Sequence, residues 1–502
     1  MQDILLALSD VFTVTSLIWL VGGFLIGVLV GATPGIGPEL GILLAMPFTL
    51  GLEPAVAMMF LVAIYVGGDY GGSIPAILLN TPGTAASAAT VLDGYPMAKQ
   101  GRAVTALAIS GTGGALGSLL AGMVIIPLIP IMGVVILWFG TPEYFMMAVL
   151  GLSTIAVTSS NSPAKGLIVA ALGGLIATVG SNSVIVDRRF TFGVPELSDG
   201  FALVPAFIGL FAVAEMVKLA EKGSIVAETG ASNQAGSRSA GIRIAFQNWL
   251  QVLKSAMIGL WVGVMPGQGG TVANYLAYTE AKVSSRESES FGEGNPVGVL
   301  APETANNAIV PGTLVPTLSF GIPGSASAAI LLGALLLHGV RPGPDMFQKH
   351  LPITYMIFIS ILVASLVLFA FGVGMAKQLG KIPTISVAVL VPVVITISLI
   401  GTYAIEQNWF HVWAAIGFGA LSLLLAKLNY PVIPFIMGFI LGPIAEHNLA
   451  RSLMISEGDW SIFLRQPVSA ALAALSLIIL LFVPARKMIG RKKTHATAVN
   501  KL

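Results

Sequence analysis

Cysteine is absent from this 502-residue chain, which removes disulfides, thiolate metal sites and cysteine nucleophiles together. Charge is scarce. Asp, Glu, Lys and Arg make up 10% of residues, against about 25% in an ordinary soluble domain. The 25 basic and 23 acidic residues nearly cancel, leaving no basic field for nucleic acid and no acidic tail. The five histidines (His338, His350, His411, His447 and His495) are scattered, without the HExxH spacing of a zinc site. GxxxxGK[ST] is missing, which argues against a nucleotide-driven pump. No Ser–Lys, paired-Asp or HExxH constellation lies within the apolar stretches. An enzyme is not expected, nor is a cofactor.

Apolar residues fill the space. They make up 55% of the chain, and the mean hydropathy is +0.90. A membrane-crossing helix needs about 20 mostly apolar residues. Residues 11–38, 103–142, 351–376, 382–405 and 467–485 meet that test without a charge. Shorter or interrupted stretches lie between them, including 54–68, 144–160, 304–337 and 431–445. The expectation is an all-α polytopic membrane protein with about ten to twelve spans.

Basic residues set orientation. Arg486, Lys487, Arg491, Lys492 and Lys493 follow the last apolar stretch, placing residues 486–502 in the cytoplasm as a basic tail. Residues 1–10 carry Asp3 and Asp10 and no basic residue. They lack the n-region of a signal peptide, so the first apolar stretch is expected to be retained. Residues 218–254, polar and rich in Gly, Ser and Ala, read as a cytoplasmic linker between membrane halves 1–217 and 255–485.

The chain resembles itself. GVLVGATPGIG at 27–37 returns as GLWVGVMPGQG at 259–269, and GGSIPAILLNTPGTA at 71–85 returns as GTLVPTLSFGIPGSA at 312–326. Two motifs in the same order at nearly constant offset indicate an internal repeat. Proline removes a backbone donor and glycine permits turns other residues resist. Such breaks at membrane depth are tolerated only where they are buried or line a cavity. Paired Gly/Pro interruptions in two halves are therefore the best sequence pointer to a transport site.

Uncharged polar residues gather at these breaks. The candidate substrate site comprises Asn80, Thr81, Pro82, Gly83, Thr84 and Ser87, with Ser319, Gly321, Pro323, Gly324, Ser325 and Ser327 in the second half. Residues 70–92 and 304–337 contain no Asp, Glu, Lys or Arg. An anion there must be met by backbone N–H groups, hydroxyls and an amide, with helix N-termini adding positive dipole ends. A coupling ion is assigned to carbonyls near Gly35 and Gly37, and near Gly267, Gln268 and Gly269. Glu303, Asn306 and Asn307 join that group as possible sodium or proton ligands. Asp69 reads as structural at a Gly-rich turn, and Glu39 is ambiguous, since Thr271 stands at the matching position. Gly23, Gly27 and Gly31, echoed by Gly259 and Gly263, form small faces for close helix packing.

GATPGIGPELGILLAMPF (31–48), YGGSIPAILLNTPGTAASAAT (70–90), GVMPGQGG (263–270), APETANNA (301–308) and SFGIPGSAS (319–327) together resemble the large membrane subunit of the tripartite tricarboxylate transporters. That resemblance covers essentially the whole chain. It implies a secondary transporter of the bacterial inner membrane, driven by sodium ions or protons. It also implies a small membrane subunit, a periplasmic solute-binding protein, and an elevator-type carrier with inverted repeats, an architecture compatible with a homo-oligomer. The charges do not decide the inversion, because Lys99 and Arg102 follow the first motif and Arg341 and Lys349 the second. The rival reading is a stand-alone carboxylate carrier that needs no binding protein.

Overall fold

The computed structural model describes residues 2–158, 162–181, 188–222, 236–267, 269–375, 378 and 387–481. Among the described residues, eight helices are long and apolar enough to cross a membrane: Val14–Gly31, Pro54–Leu79, Ala103–Trp138, Leu203–Glu221, Leu351–Val373, Val387–Glu406, Trp409–Lys427 and Val432–Ile455. Five shorter apolar helices accompany them: Pro38–Thr49, Pro163–Ala177, Trp249–Val264, Ala326–Leu337 and Pro467–Leu481. The protein is a polytopic helical membrane protein. Its described strands are two antiparallel two-residue pieces, β1 (Gly180–Ser181) and β2 (Arg188–Arg189).

The chain forms two compact units, each drawing on both halves of the sequence: residues 1–134 with 204–422, and residues 135–203 with 423–502. Of the span 218–254, the described ends are helical, in Ala214–Lys222, Arg238–Gln247 and the start of Trp249–Val264. Residues 223–235, the basic tail 486–502 and Gln268 fall outside the described residues.

The first unit holds every described residue of the expected site. Its relevant helices are α1 (Val14–Gly31), α2 (Pro38–Ala45), α3 (Pro54–Gly71), α4 (Ser73–Leu79), α5 (Val91–Lys99), α6 (Ala103–Val135), α7 (Trp249–Val264), α8 (Gly269–Ser284), α9 (Val297–Phe320) and α10 (Ala326–Leu337). Thr13 starts α1 by accepting a hydrogen bond from the Ser16 amide at 3.2 Å. Pro38 and Pro54 occupy first helical positions, where a missing N–H costs nothing. The small faces of α1 and α7 do what their spacing suggests. Gly23, Gly27 and Gly31 press on the backbone of Phe60, Ile64 and Gly68 in α3, while Gly259 and Gly263 press on Ala305, Ile309 and Gly312 in α9. A Cβ at any of the five would drive into main-chain atoms.

The second unit packs Val432–Ile455 against Thr141–Thr158 and Pro163–Ala177. Gly438 rests on the backbone of Ala170, and Gly173 on that of Phe435. Arg189 holds Glu446 with both terminal guanidinium nitrogens, the longer bond 3.0 Å. Lys165 caps the end of Trp409–Lys427 by donating to the carbonyls of Leu428 and Asn429, each at 3.2 Å.

Candidate functional site

Both Pro-Gly motifs break the helix. α4 stops at Leu79 with Asn80 in the left-handed region (φ 57°), and α9 stops at Phe320 with Gly321 in the same region (φ 69°). Thr81 donates its amide to the Pro75 carbonyl at 3.4 Å, and Ile322 donates to Pro316 at 3.3 Å. These are the same positions of the repeated motif. Proline at 82 and 323 then prevents the helix from resuming at once.

The agreement extends to contacts between helices. Gly83 abuts the backbone of Gly31 and Gly72; Gly324, its counterpart, abuts that of Gly263 and Thr313. Gly31 and Gly263 correspond, as do Gly72 and Thr313. Gly71 lies on the Val28 carbonyl, and its counterpart Gly312 on the Leu260 carbonyl, again at matching positions.

Each break then docks on helices of the opposite half. Beyond the first, Ala86 lies against Gly270 of α8. The Ala89 amide donates to Asn274 Oδ1 at 2.9 Å, and the Thr90 hydroxyl donates to Glu303 Oε1. Beyond the second, the Ser325 and Tyr65 hydroxyls meet at 2.8 Å, and Ser327 reaches Glu39 of α2. The two are not equivalent. Ser325 accepts from the Ala328 amide at 3.1 Å and so caps a 12-residue helix. After the first break there is only a 3-10 turn, Ala85–Ser87, where Thr84 and Ser87 share a hydroxyl contact at 3.2 Å. Of the two helix N-termini expected beside the breaks, one is present.

Exposure divides the candidates. Asn80 is exposed, Thr81 and Pro82 are half-buried, and Gly83, Thr84 and Ser87 are buried. In the second set Ser319, Gly321, Pro323, Gly324, Ser325 and Ser327 are all buried. The Ser319 hydroxyl has no partner among the described residues, unlike those of Ser325 and Thr84.

The turns assigned to ion coupling use left-handed glycines, Gly35 (φ 83°), Gly267 (φ 73°) and Gly269 (φ 68°). The Gly35 amide donates to the Gly83 carbonyl at 3.2 Å, joining the first turn to the first break. Gly37 lies under the folded-back carboxylate of Glu39. Glu303 sits inside α9, fully buried. Besides Thr90, Ser110 of α6 donates to its Oε2 at 2.9 Å. Ser73 extends that chain, 2.7 Å from Ser110. Asn306 and Asn307 are wholly buried, and their Oδ1 atoms lack partners. Asp69 lies in the last turn of α3, not in a Gly-rich turn.

Sequence reasoning missed Ser73, Thr90 and Ser110, because a lone hydroxyl in an apolar stretch carries no periodic signal. It also missed Asp93 of α5, which the structure sets at a junction. Oδ1 accepts from the amides of Gly292, Gly294 and Asn295 at 2.9, 2.9 and 2.7 Å, and Oδ2 from the Tyr278 hydroxyl at 2.9 Å. Among the described residues, no group of three or more His, Cys, Asp or Glu is placed to hold a metal ion.

Apolar spans around paired helix breaks, with polar atoms buried beside them, define a polytopic membrane protein of the solute-transport class. The chain matches the family described as the tripartite tricarboxylate transporter TctA family over residues 17–437, and it belongs to that family, whose members are membrane components of tricarboxylate transport. Two similar proteins come from Agrobacterium vitis. One, an uncharacterized 52.8 kDa protein in the TAR-I ttuC' 3'region, is 35% identical over 490 residues, covering 95% of this chain and 94% of its own length. The other, an uncharacterized protein in the TAR-II ttuC' 3'region, is 34% identical over 220 residues, covering 44% of this chain and 91% of its own length. No solved structure matches significantly.

Proposed function

We propose that this chain is the large membrane subunit of an ion-gradient-driven importer, taking a small di- or tricarboxylate from a periplasmic binding protein across the inner membrane beside a small membrane subunit. The two halves are inverted repeats, and the anion binds where their breaks present free backbone and neutral donors. The observation that carries this reading is the agreement of both breaks in turn geometry and in the glycine contacts behind them. Helix packing alone does not require left-handed caps and Pro-Gly steps twice at corresponding positions.

The chemistry follows from what surrounds the breaks. Asn80, Thr81 and freed amides offer neutral hydrogen bonds to a carboxylate, and the N-terminus of α10 adds a dipole. No fixed cation need be buried in the bilayer, where one is expensive. Co-bound cations balance the anion's charge. Access alternates by elevator-type movement of the unit that carries the breaks.

Asn80→Ala and Ser325→Ala test the site. Losing one buried partner costs about 1–3 kcal/mol, so uptake should fall roughly five- to a hundredfold with membrane insertion intact. Ser325→Ala should also lower the unfolding temperature, because a helix cap contributes about 1 kcal/mol; Asn80→Ala should lower it as well, because alanine tolerates the left-handed backbone at position 80 less well than asparagine does. Parental uptake in both variants would move the anion site elsewhere.

Glu303 is the second test. Its carboxylate is enclosed by hydroxyls rather than by a base, the environment of a group that exchanges a proton or stands close to a bound cation. Glu303→Gln should change how uptake depends on sodium concentration or pH and leave the order of preferred carboxylates unchanged. If both ion dependences match the parent's, Glu303 is structural.

A further inference from the structure

We propose that the chain holds one aminophospholipid, with an acyl chain in an apolar groove along α1 and the headgroup ammonium at Asp10 and Glu53. Two cavities carry this assignment, and Trp19 lines both. The first is a groove of about 510 Å³ walled by Ile18, Ile26 and Val30 of α1, Leu44 of α2, Phe48 and Ile397. Its described lining is apolar apart from the Trp19 indole nitrogen. From Ile18 to Val30 the groove follows α1 for about 18 Å, close to the ~15 Å of hydrocarbon in one leaflet. Spread over that length, its volume leaves a cross-section of about 28 Å², roughly a third of that of a helix ~10 Å across. A partner helix could rest on such a groove but not enter it. An extended acyl chain can.

The second cavity shows what the chain is attached to. It measures about 410 Å³, opens where α1 and α3 begin, and is lined by Asp10, Thr13, Thr15, Ser16 and Glu53 among others. Both acids are exposed, no basic residue is in the lining, and among the described residues neither acid has an ion pair. Trp19, between the two cavities, is half-buried and packs edge-on to Phe60 with ring centroids 5.1 Å apart. Tryptophan favours the boundary between hydrocarbon and headgroups, so the acidic cavity stands at headgroup depth and the groove below it. A membrane ligand that fits both has a cationic head joined to a long apolar tail. A primary ammonium donates three hydrogen bonds and meets two carboxylates. A quaternary ammonium donates none, and a purely anionic head is repelled. No side chain caps the first turn of α3, which leaves its amides to the lipid phosphate.

The full chain, purified in detergent and stripped of lipid, is mixed with phosphatidylethanolamine, phosphatidylcholine or phosphatidylglycerol of identical acyl chains. Bound lipid is counted by native mass spectrometry. The parent should retain one phosphatidylethanolamine and prefer it about tenfold over either other lipid, the size of a charge-assisted hydrogen bond. Asp10→Asn combined with Glu53→Gln should erase the preference while a lipid still binds. Ile26→Trp, which adds bulk to the groove, should weaken all three lipids alike. A phosphatidylethanolamine with a photoactivatable acyl chain should mark residues 18–30 and 44–48 of the parent, a readout that depends on no variant folding. Equal retention of the three lipids by the parent, or label spread evenly over the spans, overturns the site. A parent that takes up no lipid also overturns it; if Ile26→Trp then turns a dimer into a monomer, the groove belongs to a second copy of the chain.

Discussion

Alanine at Gly83 or Gly324 should abolish uptake while the protein still enters the membrane. Neither glycine has a positive φ, so the demand is for space. A Cβ on Gly83 would overlap the Gly31 carbonyl and come within 2.8 Å of the Gly72 Cα. On Gly324 it would lie 2.5 Å from the Gly263 carbonyl and 3.0 Å from the Thr313 Cα. Main-chain atoms cannot rotate aside as a flexible side chain does, so the break itself must shift. A displacement of about 1 Å in a positioning element can cost on the order of a hundredfold in rate. Uptake should therefore drop at least that far. Gly22 of α1 is the control, since a Cβ there meets nothing within 4 Å. Uptake through Gly83→Ala and Gly324→Ala as fast as through Gly22→Ala would show that the breaks only serve packing.

Asp93→Ala should prevent accumulation of folded protein. Asp93 is fully buried, and its carboxylate accepts three backbone amides and a phenol. Truncation orphans all four donors. At about 1–3 kcal/mol for each unmet group, the loss is comparable to a whole domain's stability of about 5–15 kcal/mol. Asp93→Asn retains one carbonyl acceptor and should be intermediate. Size-exclusion profiles of detergent extracts, with thermal unfolding of the monodisperse fraction, provide the readout. An Asp93→Ala variant with the parent's profile and midpoint would show that water replaces the carboxylate without penalty.

These two cases show what the sequence makes legible. The helix breaks could be read directly, because Pro and Gly fix backbone behaviour locally and their duplication marks it as more than a kink. Helix-packing glycines were equally legible from their four-residue spacing. Asp93 was not: its backbone partners lie about 200 positions away along the chain, in a loop whose glycines resemble any other turn. Glu303 was singled out as an acid in an apolar run, but its hydroxyl cage comes from α4, α6 and the segment before α5. Asp69 lies in a helix rather than in the turn its flanking glycines suggest; those glycines instead let α1 and α2 approach α3, with Gly68 against Pro38 and Gly31. The unequal ends of the breaks also escaped notice, since the aligned motifs differ little where one continues as a helix and the other as a 3-10 turn.

The absence of cysteine allows a direct test of the central claim, because any thiol label reports only the residue introduced. Asn80→Cys and Ala85→Cys place thiols at exposed positions of the first break, and Ser284→Cys places one at an exposed position at the end of α8. Maleimide labelling rates are measured in membranes with sodium present, with and without a panel of di- and tricarboxylates. One or more of these anions should slow labelling at 80 and 85 and leave 284 unchanged. Equal rates at all three positions, with an anion that the same membranes transport, would contradict it.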